Sequence, residues 1–484
     1  MTDTSDTLLG RAVQPGLDEH PGLSGFHLLH GGEDAFARRM RLIQQAERSI
    51  DAQYYIWHLD LTGKGMYSAL LKAADRGVRV RILLDDLDTA GKEDTLNLID
   101  AHPNIEIRVY NPFANRDKRG LDFITDTARV DHRMHSKTLT VDNQITVFGG
   151  RNIGDEYFAA TEEVGFSDMD ALALGPIVQE VSGQFDLFWN SQYVYPLAVF
   201  APDLMLAETA IQSFRESFEQ SMIAARASEY AEVLREMEEV GTTGMESLDL
   251  TWSEWFLSYD HPENVVLEEL DAATNLAPNL IKAMDSAVTE LLIVSPYFVP
   301  GEEFTRYLTG RVKQGVKVKI LTNSLASNDV GLVHAGYMRY REDLLAGGVD
   351  LYEYKATREE TLGDMENRKS IHSNKTSLHA KFFGFDRSHM FIGSFNLDSR
   401  SVMLNTELGA YFQKPDKAAE LSDVFDRDIM YIAYRVQLDD EAELQWTTLD
   451  KDGQEVLVDH EPDTGFWKRF GTRIMSPIVP ESEL

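Results

Sequence analysis

The chain has 484 residues, with 80 acidic against 46 basic side chains, a formal net charge of −34 and no cysteine. That length suits about three domains and a core that needs no staples, and the missing thiols exclude disulfides, thiolate zinc sites and cysteine nucleophiles while leaving the redox compartment open. The anionic balance argues against nucleic-acid binding, which depends on Lys and Arg neutralising phosphates, and fits either a salt-rich habitat or plain solubility.

The start, Met1 to Asp6, carries no basic segment followed by an apolar one, and no run of roughly 18 apolar residues occurs anywhere, so a cytoplasmic protein that meets a membrane from one side is expected. Apolar, β-branched strands are predicted at Ile50 to Trp57, Arg76 to Leu83 and Ile105 to Tyr110, with helices between them. A long polar segment from Ala114 to Arg133, carrying Leu121, Phe123 and Ile124, reads as a lid or binding loop. His135, Lys137 and Asp142 then form the pattern His-x-Lys-x4-Asp on a hairpin. As a strand, this stretch points His135, Lys137, Leu139 and Val141 to one face, Asp142 opens the turn, and Ile145 to Phe148 return. Gly149-Gly150-Arg151-Asn152 closes the unit. Its glycines let backbone come near a ligand, and Asn152 sits where a helix would begin, a place suited to phosphate oxygens.

Residues 203 to 240 read as an acid-rich helical connector through Phe214, Phe218, Met222 and Ala225, broken at Gly241 to Gly244. Leu248 to Trp252 reads as a strand that begins a second half or bridges the two. The pattern then repeats. Leu292 to Val299, Gln314 to Leu321 and Val349 to Tyr354 match the three strands, Thr357 to Ser377 is a second polar segment with Arg368, Lys369 and Lys375, and His379, Lys381 and Asp386 precede Gly393-Ser394-Phe395-Asn396. Every motif element is displaced by 244 positions, since 379 − 135 equals 396 − 152. Near the end, Phe466, Trp467, Phe470, Ile474 and Met475, interleaved with Lys468, Arg469 and Arg473, predict a short basic amphipathic helix that lies in a headgroup layer or packs on the second half. His27, His58, His132, His334 and His372 read as surface or packing residues.

The duplicated motif resembles the phospholipase D superfamily. Asp51 to Trp57, Phe148 to Asp155, Leu321 to Ala326 and Leu404 to Glu407 resemble bacterial cardiolipin synthases of the branch without N-terminal transmembrane helices. The resemblance implies an α/β fold of two pseudo-symmetric lobes, each a mixed β-sheet flanked by helices, sharing one active site at their interface. The expected divisions are an N-terminal segment (1–32), a first lobe (33–205), a helical connector with a bridging strand (206–279), a second lobe (280–440) and a C-terminal segment (441–484).

The implied reaction moves a phosphatidyl group to phosphatidylglycerol through a phosphohistidine. A hydrolytic phospholipase D is the alternative and a phosphodiesterase or nuclease the third reading. Within the signature, His135 is the expected nucleophile and His379 the general acid and base, although the near-symmetric residues alone do not distinguish the two assignments. Lys137, Lys381, Asn152 and Asn396 are expected on the nonbridging oxygens. Asp168 and Glu407 are each expected against the histidine of their own half, and Asp142 and Asp386 complete the catalytic signature by bracing their hairpins. Glu263 stands after Asp260-His261-Pro262 where relatives place a basic residue, which leaves donor preference open. No cofactor and no metal are implied. The expected partners are phospholipids, namely phosphatidylglycerol with phosphatidylethanolamine as a candidate donor, and the inner face of the cell membrane, without nucleic acid.

Overall fold

Each repeat builds one mixed sheet in a computed structural model that describes residues 3–201, 208–239, 248–265, 271–357 and 375–477. In the nine-stranded first sheet, Ser49–Tyr54, Arg79–Asp85 and Ile105–Tyr110 run parallel, and Thr138–Val141 joins antiparallel beside Ser49–Tyr54. The ten-stranded second sheet repeats this with Glu290–Val294, Lys317–Asn323 and Asp350–Tyr354 parallel and Phe382–Phe385 antiparallel. Runs such as Val80, Ile82, Leu83 and Leu84 are buried on both faces, because the crossover connections of parallel strands place helices over them. Among the described residues, no helix is long and apolar enough to cross a membrane.

The sheets reach beyond the repeat. Ser24–Leu29, from the segment expected to precede the first lobe, lies inside the first sheet between Asp170–Leu174 and Thr251–Ser253. Six residues opening on Ser-Gly are too few for periodicity to reveal a strand. Leu444–Leu449 and Glu455–Val458 likewise extend the second sheet past residue 440. The connector forms two helices, Glu208–Ala225 and Glu229–Glu239, that belong with the first lobe: Phe218 and Tyr230 join its core, and the Tyr230 hydroxyl donates to the Phe158 carbonyl at 2.9 Å. The predicted bridging strand is two strands. Thr251–Ser253 edges the first sheet, and after Glu254 the chain enters the second as Trp255–Tyr259. The segment before His135 is no open loop but a series of short turns, Arg116–Leu121, Asp122–Thr125 and Thr127–Val130, with Leu121, Phe123 and Ile124 exposed. Gly241 to Gly244, Arg368, Lys369 and His372 lie outside the described residues. His334 is fully buried, 3.7 Å from Glu461, as a packing residue.

The lobes meet through a shared apolar core in which Phe26, Phe148 and Val178 face Leu292, Ile392 and Phe412. Two short parallel ladders also cross the interface. Lys375–Leu378 pairs with Val164–Ser167, and Asn405–Thr406 pairs with Arg133–Met134.

Asp142 and Asp386 sit at the turns of their hairpins, both with left-handed backbone (φ 50° and 52°). The Asp142 carboxylate accepts the backbone N–H groups of Glu47, Arg48 and Ser49 at 2.7 to 3.2 Å. Asp386 accepts those of Val288, Thr289 and Glu290 at 2.7 to 3.0 Å. Each carboxylate therefore ties its hairpin to the start of the neighbouring strand. Asp142 is fully buried, whereas the groups served by Asp386 are largely solvated. Asp142→Ala should cost about 2–3 kcal/mol in urea unfolding, for the loss of a buried carboxylate and its part-buried hydrogen bonds, and Asp386→Ala clearly less; equal losses would contradict this account.

Candidate active site

The two ladders carry the histidines. Arg133–Met134 ends where the His135 N–H donates to the Thr406 carbonyl at 2.8 Å, and Lys375–Leu378 ends where the His379 N–H donates to the Ser167 carbonyl at 2.7 Å. Residues 135–137 and 379–381 are thus not in the hairpin strands, which begin at Thr138 and Phe382. The single strand expected from His135 to Val141 is interrupted because the chain leaves the other lobe's ladder and turns into its own sheet.

That crossing changes which carboxylate serves which ring. His135 Nδ1 lies 2.9 and 3.0 Å from the two oxygens of Glu407, and His379 Nδ1 lies 2.6 Å from Asp168 Oδ2. Each acid therefore pairs with the histidine of the opposite half, which corrects the own-half expectation. Glu407 follows directly on Thr406 and Asp168 on Ser167, so the ladder that positions each histidine also delivers its partner. An ionised carboxylate only accepts, so Nδ1 carries the proton and Nε2 keeps its lone pair. Glu407 is fixed in turn by Ser394 Oγ at 2.5 Å, by Ser401 Oγ at 3.0 Å, and by its own N–H to Asp260 Oδ2 at 2.8 Å.

The glycines of the motif turn have a role unlike the one expected. A Cβ on Gly150 would lie 2.3 Å from Asp168 Oδ1, and one on Gly149, at φ 155°, 2.4 Å from Asp170 Oδ1. They make room for these two acids. Asp170 binds Arg39 at 2.7 Å and Arg151 at 3.1 Å, and Arg151 also donates to the Asp168 carbonyl at 2.6 Å, locking the strand that carries the acid.

Lys137 Nζ bonds to the His135 carbonyl, and Lys381 Nζ to that of His379 at 2.6 Å, with the His379 ring nitrogens at 3.1 and 3.2 Å. Two tyrosines that sequence reasoning left without a role, Tyr55 and Tyr297, flank these groups. Tyr55 stands edge-on to His135 at 5.0 Å and under Lys137 at 5.4 Å; Tyr297 stands 6.4 Å from His379 and 6.0 Å from Lys381. Their matching places in the aligned strands, at offset 242 (297 − 55), were the available signal. Phe166 stacks on His379 at 5.3 Å and Tyr157 meets it edge-on at 5.2 Å. Asn152 accepts the Ile56 N–H at 3.1 Å and donates to the Tyr157 hydroxyl at 3.0 Å, which leaves one amide hydrogen for a ligand. Asn396 Oδ1 is buried without a hydrogen-bond partner, and a helix begins just beyond it at Ser399–Met403. Asn152 is followed only by the short turn Asp155–Tyr157.

Burial dominates the electrostatics. It drags the His135 imidazole down to about 4, against the pull of Glu407, and lowers His379 as well. Lys381 falls to about 8 through burial, opposed by Asp168 and Glu407, and Lys137 drops well below the ordinary lysine range for the same cause. Burial alone would raise both acids, but the neighbouring imidazoles and ammoniums prevail and hold Asp168 and Glu407 low. Neutral imidazoles bonded to ionised carboxylates are the state that satisfies all four groups. Among the described residues the two acids pair with the imidazoles and neither lysine has an ion-paired carboxylate, so an anion bound beside them would be stabilised.

Paired imidazoles, each backed by a carboxylate and an ammonium and brought together by duplicated sheets, define an enzyme of the phospholipase D type. The chain matches the family described as "Cardiolipin synthase, PLD-like domain" over residues 40–189 and 280–429. It is 41% identical to cardiolipin synthase C of Escherichia coli (strain K12) over 98% of both chains, and 24% identical to a cardiolipin synthase of Oceanobacillus iheyensis over 86% of this chain and 74% of that one. In fold it is similar to the phosphatidylserine synthase of Haemophilus influenzae Rd KW20, with a TM-score of 0.57 and 14% identity, covering 98% of this chain and 100% of that one. The chain belongs to the phospholipase D-like cardiolipin synthase family.

The crossed pairs are tested by resonance. Glu407→Gln should lower the proton affinity of His135, and Asp168→Asn that of His379, in 15N-histidine titrations, with activity falling on the order of 10²–10⁴-fold as the tautomer is lost. If Glu407→Gln moved His379 and left His135 alone, the pairing would be wrong.

Proposed function

We propose that the protein moves a phosphatidyl group from one phospholipid to the glycerol hydroxyl of phosphatidylglycerol, with His135 as nucleophile and His379 as general acid and base. The observation that carries this reading is the pair of Nδ1-anchored imidazoles set beside two charge-hungry lysines. His135 is favoured as nucleophile because its Nε2 makes no hydrogen bond among the described residues, whereas both ring nitrogens of His379 face the Lys381 ammonium. In the first step the His135 Nε2 lone pair forms a bond to phosphorus as the bond to the headgroup oxygen breaks, and His379 gives that oxygen a proton. In the second step His379 takes the proton of the acceptor hydroxyl, whose oxygen attacks phosphorus and releases His135. Lys137, Lys381 and the amide groups of Asn152 and Asn396 stabilise the nonbridging oxygens. A bound phosphodiester anion also offsets ammonium repulsion on His379, which raises its proton affinity when an acid is needed. Water in place of the acceptor gives the hydrolytic alternative.

Brief incubation with labelled lipid followed by acid quench should trap a phosphohistidine that His135→Ala lacks. Phosphatidylglycerol alone should yield a diphosphatidyl product and free glycerol on thin-layer chromatography; phosphatidic acid as the sole product would favour hydrolysis, and trapping in His135→Ala but not His379→Ala would reverse the two roles.

The reading extends to peripheral docking on the inner face of the membrane. The helix Phe466–Met475 has no buried residue, and Phe466, Trp467 and Phe470 are 61%, 78% and 49% exposed. It is held to the body through contacts such as the Ser476 hydroxyl donating to the Ala335 carbonyl at 2.6 Å, which leaves its aromatic and basic residues to meet a headgroup layer. Its Lys468 lies close enough to Lys375, just upstream of His379, to feel that charge. Replacing Phe466, Trp467 and Phe470 together by Ser should weaken binding to phosphatidylglycerol vesicles severalfold and spare turnover of a short-chain substrate. Unchanged vesicle binding would refute the docking role.

A further inference from the structure

Next to the site, on the first lobe, three side chains converge that the reaction does not use. His58 Nδ1 lies 3.3 Å from Glu156 Oε1 and 3.9 Å from Asp60 Oδ2, and one donor atom of each residue lies within 4.8 Å of the others. Donors about 2.1 Å from a tetrahedral or octahedral ion stand roughly 3.0–3.4 Å from one another, so small rotations would bring all three into a coordination shell. The His58 backbone is fixed by its N–H to the Ile153 carbonyl at 2.9 Å. Asp60 is also fixed: Oδ1 accepts the Gly63 N–H at 3.0 Å and Oδ2 the Asp155 N–H at 2.8 Å.

The other ring nitrogen adds a second observation. His58 Nε2 faces Asp88 Oδ1 at 3.9 Å, and Asp88 is itself held by the Trp57 N–H at 2.7 Å and Lys92 Nζ at 2.6 Å. At 3.9 Å the two are not hydrogen-bonded, but a small rotation of the ring would bring this braced carboxylate to the outer-shell place behind a metal-bound histidine. Charge points the same way. Among the described residues, Asp60, Asp88 and Glu156 each place a carboxylate oxygen within 3.9 Å of the imidazole, and Lys92 pairs with Asp88.

We propose that His58, Asp60 and Glu156 bind a divalent transition-metal ion, with zinc and manganese the ions whose ligand preferences fit one imidazole and two carboxylates. The ion would be structural. Glu156 precedes Tyr157, whose hydroxyl accepts from Asn152 and whose ring stands against His379, so the ion would pin the short turn behind the second histidine. Without it, His58 Nδ1 and Glu156 Oε1 pair directly at 3.3 Å, and the ion would take the place of that contact.

Metal-free full-length protein titrated with Zn²⁺ by calorimetry should show a single site. Manganese binding followed by electron paramagnetic resonance should report the same site. His58→Ala and Glu156→Gln should each weaken binding at least tenfold and remove the rise in unfolding temperature that zinc gives, whereas His460→Ala, an exposed histidine beside Asp459, should do neither. Equal zinc affinity in the wild type and His58→Ala, or no wild-type binding of either ion below millimolar concentration, would overturn the site and leave an imidazolium–carboxylate pair in its place.

Discussion

Two parallel ladders of a few residues each, Arg133–Met134 on Asn405–Thr406 and Val164–Ser167 on Lys375–Leu378, hold the active site together. Each is the point at which one lobe's backbone hydrogen bonds are completed by the other. In both, the residue that follows the ladder is chemical: a histidine on one strand and a carboxylic acid on the other. Register within the ladder therefore sets the distance from imidazole to carboxylate, and a slip of one residue would turn these side chains to the opposite face. The apolar core behind the ladders, including Phe26 against Phe412 at 4.0 Å between ring centroids, fixes the lobes so that this register has one solution.

The same arrangement explains how so much charge is tolerated out of water. Asp168, Glu407, Asp170, Arg39, Arg151 and both motif lysines are buried, a cost that is offset only where every group has a partner. Asp168 and Glu407 find theirs in the imidazoles, and Asp170 in two arginines. The lysines are the exception, held by backbone carbonyls with their proton affinity lowered by burial. In the proposed reaction a phosphodiester would supply an anion beside them, at the region of the site least satisfied among the described residues. Asp260, pushed up to about 8 by burial, sits one hydrogen bond behind Glu407 and extends this network away from the reacting atoms.

Much of this was legible in the residues. The 244-residue displacement located both hairpins and the histidine and lysine pairs, and the matching strands upstream, at offsets of 238 to 244, located the parallel part of both sheets. Asp142 and Asp386 read as braces since an acid at a turn has few other uses. What could not be read was anything that depends on one half touching the other. Asp168 and Glu407 were found, yet their partners were exchanged, because the resemblance assigned each acid to its own half and the pairing is made across the interface. Ser24–Leu29 was missed because its place is set by Asp170–Leu174 and Thr251–Ser253, far away in sequence. Gly149 and Gly150 were legible as close-approach positions, but which group approaches, a neighbouring acid, required coordinates.

The exchange of carboxylates bears on how the chain reaches its native state. A lobe folded by itself would bury Asp168 or Glu407 against no imidazole and leave a ladder edge unpaired, so neither half is at its own free-energy minimum until the other has formed. The hydrogen bonds at the two histidines can close only where the lobes meet, so assembly of the lobes and completion of the candidate site are coupled.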